Sequence, residues 1–158
     1  MTYIIDGHNL IPKLPGFSLS DPDDEIRLIE VLQQFARIRR KKIEVYFDQA
    51  PPGNTGVRRY GTIRAHFIAQ NTTADEAIIQ RLHNMGKSAR DWTVVSSDQH
   101  IQFHAKKSSA SVLSSEQFAI EIRKAQEEET LKNKISPPPI SEHEVAKWLE
   151  EFNQSKKD

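Results

Sequence analysis

Four aspartates stand where a hydrophobic strand stops or where a helix begins, positions from which acidic side chains can hold a cation. They are Asp6, Asp48, Asp75 and Asp98. In an open α/β sheet the carboxyl ends of the strands line one edge, and ligands bind there. Carboxylates gathered at one edge repel each other unless a cation or a proton neutralises them. Because folding does not require such a gathering, the pattern indicates a metal site.

Each aspartate taken alone also has a structural explanation. Asp6 with Gly7 is typical of a turn after a strand, Asp75 complements the dipole of a helix start, and Asp98 is suited to cap the next helix. Four coincidences at one edge are not explained in this way. Hard carboxylate oxygens suit Mg²⁺ or Mn²⁺ rather than zinc, and such ions activate water for in-line attack on a phosphodiester. The set therefore predicts a phosphoryl-transfer site.

Three polar neighbours are predicted to support these aspartates. Asn9, three residues after Asp6, can orient a carboxylate or contact a phosphate. Glu76 directly follows Asp75, and Ser97 directly precedes Asp98. Since no base is visibly paired with Ser97, we expect it to support the aspartate rather than to act as a nucleophile.

Basic and aromatic residues that could hold a nucleic acid follow Asp48. The segment 54–61 predicts a flexible basic loop in which Arg58, Arg59 and Tyr60 supply backbone charge and base stacking for single-stranded RNA. Lys106, past the Asp98 helix, could extend the same groove. A merely solvated loop remains an open alternative for this segment.

Periodicity gives the elements that must position these side chains. We predict strands at 2–5, 43–47, 63–68, 92–96 and 110–113. Helical stripes of apolar residues predict helices at 24–41, 75–85, 98–105 and 115–128. Strands that alternate with helices favour an α/β fold, with a mostly parallel central sheet covered by helices on both faces.

The chain changes character after residue 130. We predict one domain over 1–130, a proline-rich spacer over 131–141 and a terminal helix and tail over 142–158. The last helix is amphipathic and carries Trp148 on its apolar side, so it packs either on the domain or on a partner.

Composition narrows the classes of function. A chain of 158 residues is long enough to bury a core, and its 22 basic and 22 acidic residues cancel. It has no cysteine, which excludes disulfides, zinc-thiolate sites and a cysteine nucleophile. No apolar run approaches the roughly 18 residues of a membrane span, and no basic segment precedes the first strand. These features predict a soluble, cytoplasmic protein without membrane contact.

The motifs together resemble a known family. The stretches Ile5-Asp6-Gly7-His8-Asn9-Leu10, Val45-Tyr46-Phe47-Asp48, Thr73-Ala74-Asp75-Glu76-Ala77-Ile78 and Val94-Val95-Ser96-Ser97-Asp98 resemble the NYN nucleases of the PIN-like superfamily, in particular the small bacterial YacP-like proteins. The resemblance runs from about residue 1 to about residue 125. It implies a PIN-like, Rossmann-like fold and a metal-dependent ribonuclease, and it also implies association with ribosomes.

The same resemblance assigns roles to the aspartates. Asp6, Asp75 and Asp98 match the family's metal-ligand positions, and Asp48 is a further member of the catalytic set. Relatives tend to carry a second aspartate where this chain has Glu76, so that either Asp75 alone or both residues serve the metal.

Two hypotheses follow. The first is an endoribonuclease, dependent on Mg²⁺ or Mn²⁺, that cleaves single-stranded RNA, including mRNA on the ribosome. The second is a catalytically silent RNA- or ribosome-binding module with the same fold. The intact set of carboxylates favours the enzyme. A phosphatase is the weakest hypothesis, because the chain has no phosphorylatable nucleophile motif at this edge.

Overall fold

A computed structural model describes residues 2–21 and 23–135, and the side chains of these residues up to 133. The chain divides into two units, Met1–Gln126 and Glu127–Asp158, and the α/β fold lies in the first. The predicted terminal helix at 142–158 and most of the predicted spacer at 131–141 lie outside the described residues.

A six-stranded sheet forms the centre of the first unit. Its order is β3-β4-β2-β1-β5-β6, and every neighbouring pair is parallel except β3 with β4. The strands are β1 (Thr2–Asp6), β2 (Lys42–Ala50), β3 (Gly56–Tyr60), β4 (Ile63–Ala69), β5 (Trp92–Val95) and β6 (Ser111–Leu113). The mostly parallel α/β fold is therefore confirmed.

Helices connect the strands and cover the sheet on both faces. They are α1 (Gly7–Leu10), α2 (Asp24–Arg39), α3 (Ala74–Met85), α4 (Gln99–Lys107) and α5 (Ser115–Ile135), with 3-10 turns at Ile11–Lys13 and Gly86–Asp91. Helix α5 extends past its predicted end at 128 and into the predicted spacer. Glu, Lys and Leu are strong helix formers and continue the helix, and Pro137 lies just beyond its end.

Strand alternation divides the core into two layers. On one face Ile5 and Val45 pack with α2 and with the first turns of α5, where Phe118 is fully buried. On the other face Ile4 and Tyr46 pack with α3 and α4. Both faces of the central strands are thus buried, as parallel sheets require.

Segment 54–61 is not the flexible loop that the sequence predicts. Residues Gly56–Tyr60 form β3, which pairs antiparallel with β4 from Gly56 opposite Phe67 to Tyr60 opposite Ile63. Val and Tyr favour strands, and the two-residue connection to β4 contains Gly61 at a φ of 64°. The strand signal was hidden because most of its residues are exposed, which removes the apolar alternation.

Two residues of α2 depart from a simple apolar stripe with polar residues opposite. Ile26 is 57% exposed, whereas Leu28 is fully buried. Asp24, the first residue of the helix, is buried, accepts a hydrogen bond from the Ser18 backbone and pairs with Arg27 at 2.8 Å. In the described part of the chain, none of the helices has the length and apolar character needed to cross a membrane.

Gly7 is required where β1 turns into α1. A Cβ atom added at Gly7 would lie 2.4 Å from a ring carbon of Phe47 and 2.9 Å from the carbonyl oxygen of Tyr46. Both distances are shorter than van der Waals contact, so that β2 leaves room only for glycine beside Asp6.

We expect Gly7→Ala to destabilise the protein by about 1 to 3 kcal/mol, the usual cost of overpacking a core. In a Phe47→Leu background the same change should cost less, since the nearest clashing atom, Cε1 of Phe47, is removed. Urea unfolding of the wild type, the two single variants and the double variant measures this coupling. An equal cost in both backgrounds would contradict the steric explanation.

Candidate active site at the carboxylate edge

Asp6 lies at the end of the central strand β1, between β2 and β5. Burial raises the pKa of Asp6 to about 6; a hydrogen bond from the Asn9 backbone opposes the rise, and the negative charges of Asp48 and Asp98 add to it. Asp48 and Asp98 therefore lie close enough to Asp6, at one edge of the sheet, for their negative charges to repel it.

Asp48 lies on β2, and both of its carboxylate oxygens have partners. Its Oδ1 lies 2.9 Å from Nδ1 of His8, and its Oδ2 accepts a hydrogen bond of 3.2 Å from the backbone N–H of Ala74. Asp48 thus ties the start of α3 to the edge of the sheet.

His8 bridges two carboxylates, a role that the sequence did not reveal. Its Nε2 lies 2.7 Å from Oε2 of Glu25, so that the ring connects Asp48 with α2. The hydrogen bond to Glu25 raises the pKa of His8, burial opposes this, and the bond to Asp48 raises it again. A protonated ring donates from both nitrogens, and its charge offsets that of Asp48. Glu25 gave no signal of its own, because acids are common in a first helical turn.

Asp75 lies in the first turn of α3 and does not cap it. The cap is Thr73, whose Oγ1 accepts a hydrogen bond of 3.1 Å from the backbone N–H of Glu76. Oδ1 of Asp75 is buried and has no hydrogen-bond partner among the described residues. Burial, and after it the charge of Asp98, raise the pKa of Asp75. A buried, unpaired carboxylate oxygen is unfavourable, and a cation would satisfy it.

Asp98 has a structural role as well as its place in the carboxylate set. Its Oδ1 caps α4 by accepting a hydrogen bond of 3.0 Å from the backbone N–H of Ile101. The backbone N–H of Asp98 donates to Oγ of the buried Ser96 at 3.1 Å. The negative charge of Asp98 raises the pKa of both Asp6 and Asp75, so Asp98 interacts with both carboxylates.

The side chains of Asn9 and Ser97 bind neighbouring segments of the chain rather than the aspartates of the edge. Oδ1 of Asn9 accepts hydrogen bonds from the Ser97 backbone at 2.9 Å and from Oγ of Ser115 at 2.6 Å. Oγ of Ser97 donates to Glu116, which pairs with Lys13 at 3.0 Å. The Asn9 side chain therefore joins α1, the β5–α4 turn and α5.

The Glu76 side chain binds a residue just before the start of its own helix, α3. Its Oε2 accepts a hydrogen bond of 2.7 Å from Oγ1 of Thr72, although its charge still contributes to the raised pKa of Asp75. His100 lies closer to the set, with its Nε2 3.9 Å from Oδ2 of Asp75 and its side chain 61% exposed.

The predicted RNA-binding residues do not form one groove. Arg58 pairs with Ala65 and lies 4.9 Å over the ring of Phe67, on the face that α2 covers, whereas Arg59 pairs with Arg64 on the other face. Neighbouring residues of a strand point to opposite faces, so Arg58 and Arg59 do not line one surface, and their binding of RNA stays a prediction. Tyr60 packs against the α2 side of the core, and Lys106 is exposed in the last turn of α4.

The geometry limits how a metal could bind. Within the described residues, no three histidine, aspartate or glutamate side chains converge as a ready-made metal site. The donors at the edge are nevertheless all oxygens, and Oδ1 of Asp75 is free to bind. Hard cations such as Mg²⁺ accept few protein ligands because they keep several waters, so the donor set fits such an ion.

A mostly parallel α/β sheet whose central strands end in acidic side chains defines a PIN-like fold. The profile of the YacP-like NYN domain matches residues 3–157, and the chain belongs to this family, which implies a nuclease. None of the curated proteins matches the chain.

Solved structures share the fold. Crystal structures of Rae1 (YacP) from Bacillus subtilis are similar at a TM-score of 0.70 with 18% identity, over 99% of this chain and 95% of that one. A W164L mutant of that protein gives 0.68 with 21% identity, over 92% and 89% of the two chains.

The raised pKa of Asp6 predicts a pH-dependent stability. Because the folded-state pKa of about 6 exceeds the unfolded value of about 3.9, protonation stabilises the fold. That stabilisation is complete below about pH 4 and is lost as the pH rises through about 6. Two pKa units correspond to about 2.7 kcal/mol, and Asp6→Asn also weakens the bond from Asn9. We therefore expect the metal-free variant to be up to about 2 kcal/mol more stable than the wild type above pH 6.

Urea unfolding in chelator across this pH range measures the difference, which should disappear towards pH 4. Asp23→Asn is the matched control, because Asp23 is exposed and its side chain does not cap α2. A constant difference at every pH would contradict the buried-charge explanation.

Proposed function

We propose that this chain is a divalent-metal-dependent endoribonuclease that cleaves single-stranded RNA. The observation that carries the proposal is the buried, unpaired Oδ1 of Asp75, at an edge where neighbouring carboxylates raise the pKa of Asp75 and of Asp6. An edge with this excess of negative charge favours a bound cation. Family membership supports the same reaction class.

Asp6, Asp75 and Asp98 would hold Mg²⁺ or Mn²⁺. When bound, such an ion supplies charge stabilisation at the phosphate and an acidified water. Asp98 keeps its cap on α4, so Asp75 and Asp6 offer the oxygens with the least competition from hydrogen bonds. Asp48 assists from the side, since its charge is offset by His8 and its position fixes the start of α3.

His100 is placed to act on the substrate. Its side chain is exposed at the rim of the edge, with Nε2 3.9 Å from Oδ2 of Asp75. In the proposed reaction it contacts a phosphate oxygen or gives a proton to the leaving oxygen. Exposed Lys106 adds positive charge at the end of the same helix.

Action on mRNA at the ribosome, in the cytoplasm, is part of the proposal, and its support is the family resemblance. A catalytically silent RNA- or ribosome-binding module is the second candidate. It is favoured by one observation, that Asp48 and Asp98 are already engaged in hydrogen bonds that stabilise the fold. The experiments below separate the two candidates.

We expect the purified chain to open a circular single-stranded RNA in Mn²⁺ or Mg²⁺ and not in EDTA. A circle has no ends, so opening it requires internal cleavage. Gel analysis of the labelled circle against its linear form gives the result. Cleavage that persists in excess EDTA would contradict the metal requirement, and an intact circle beside a degraded linear RNA would indicate an exonuclease. Binding without cleavage of either RNA would indicate the silent module.

We expect Asp75→Asn to abolish cleavage and to leave the fold intact. Relief of repulsion should make the metal-free variant more stable by up to about 1 kcal/mol, which for a chain of this size is roughly 3 °C in Tm. Added Mn²⁺ should stabilise the variant less than the wild type, by linkage. Thermal melting with and without Mn²⁺, beside the circle assay, measures all three effects.

Asp23→Asn is again the control, and it should keep activity and metal response. Asp24 is unsuitable, because its buried contacts with Ser18 and Arg27 would be lost. A destabilised Asp75→Asn that keeps both its activity and its metal response would return Asp75 to a structural role.

A further inference from the structure

A charged cavity lies at the amino ends of the parallel strands, at the edge of the sheet opposite the aspartates. Its volume is about 440 Å³, and it is open to solvent. Four cations, one carboxylate and one indole line it, namely Lys42, Arg59, Arg64, Arg81, Glu44 and Trp92. The chain as a whole carries 22 basic and 22 acidic residues, so this excess of positive charge is local.

Two of the four cations are fixed by a buried carboxylate. Arg81 donates to both oxygens of Glu44, from Nε and from Nη2, each at 3.2 Å, and Nη1 of Arg64 lies 3.6 Å from the same carboxylate. Burial would raise the pKa of Glu44, but the interactions with His66, whose Nε2 lies 3.8 Å away, and with Arg81 outweigh it and hold the pKa below its usual value. The guanidinium of Arg81 also lies 5.2 Å from the Trp92 ring. Its position is therefore rigid.

The other two cations, Arg59 and Lys42, are not held in place by a carboxylate. Arg59 stands beside Arg64 in the β3–β4 register, and Lys42 stands beside Thr2 in the β1–β2 register. Both side chains are exposed, and neither forms an ion pair with a described residue. One carboxylate against four cations leaves like charges crowded around one cavity, which costs energy unless an anion binds.

We infer that this cavity is a phosphate-binding site. The planar guanidinium groups of Arg59, Arg64 and Arg81 supply the forked donors that match phosphate oxygens, and Lys42 adds a point charge. Glu44 keeps two of these forks in place. In sequence, Glu44 lies four residues before Asp48 on β2, about 13 Å at the rise of a strand. The site is thus distinct from the carboxylate edge.

The phosphate could come from the RNA strand, several nucleotides from the cleaved bond, or from free phosphate. The first source rests on the proposed function, and the second does not. A dinucleotide is too short to contact residues at both edges of the sheet, whereas a long single strand can reach both.

The first experiment titrates inorganic phosphate into the wild type and two variants and follows the backbone amides of Gly61, Thr62 and Trp92 by NMR. We expect saturable shifts in the wild type and in Arg58→Ala, and at least a several-fold weaker response in Arg59→Ala. Arg58 is the matched control, because it is the neighbouring arginine on the same strand and faces the other side of the sheet.

The second experiment measures RNA binding in metal-free buffer as a function of salt. With a long single-stranded RNA, Arg59→Ala should weaken binding and reduce the slope of log K against log salt by about 0.7, the loss of one phosphate contact. Arg59→Lys should retain the slope. With a dinucleotide the variant should match the wild type. By circular dichroism the variant should melt no lower than the wild type, because Arg59 is exposed, makes no ion pair with a described residue and is repelled by the neighbouring cations.

These outcomes separate the sources and the proposals. Phosphate-induced shifts with an altered RNA slope support the site with RNA as its source, and shifts with an unaltered slope support it with free phosphate. If phosphate induces these shifts but the chain does not cleave RNA, the phosphate site is supported and the proposed function is contradicted. Absence of shifts together with an unaltered slope, or an equal loss of shifts in Arg58→Ala, would overturn the phosphate site.

Discussion

The cost of burying Asp6 at the end of the central strand is the constraint on which the surrounding structure depends. Its neighbours in the sheet bring two more carboxylates to the same edge, and each raises the pKa of Asp6. The fold offsets part of this charge through His8, which lies between Asp48 and Glu25. It leaves Oδ1 of Asp75 without a partner among the described residues. The arrangement is unfavourable for stability alone, and it is favourable for a site that binds a cation.

The aspartates of the proposed site differ in their structural roles. Asp98 caps α4 with one oxygen and still acts electrostatically on both neighbours. Asp75 leaves the capping of α3 to Thr73, although it stands in the first turn. Asp48 bonds to the start of α3 from the sheet. The helix-capping explanation therefore applies to Asp98 and fails for Asp75, which makes Asp75 the most informative residue of the set.

Charge is separated across the sheet although the chain is neutral overall. The carboxyl ends of the parallel strands carry the aspartates, and the amino ends carry the cavity with Lys42, Arg59, Arg64 and Arg81. A polyanion attracted to the basic edge would be repelled by the acidic edge unless cations bind there first. A metal ion at the first edge and a phosphate at the second are thus complementary features of the proposed ribonuclease.

The sequence by itself determined five of the six strands, the four longer helices and the placement of four aspartates near strand ends and helix starts. These follow from local periodicity and from the rule that parallel strands end at one edge. Tertiary structure alone decided the partners of those side chains. His8 meets Asp48 and Glu25 across separations of 40 and 17 residues, which no local pattern records. It also decided that residues 56–60 form an edge strand, because pairing with β4 supplies the hydrogen bonds that an exposed segment lacks by itself. That pairing sends Arg58 and Arg59 to opposite faces, since side chains alternate along a strand.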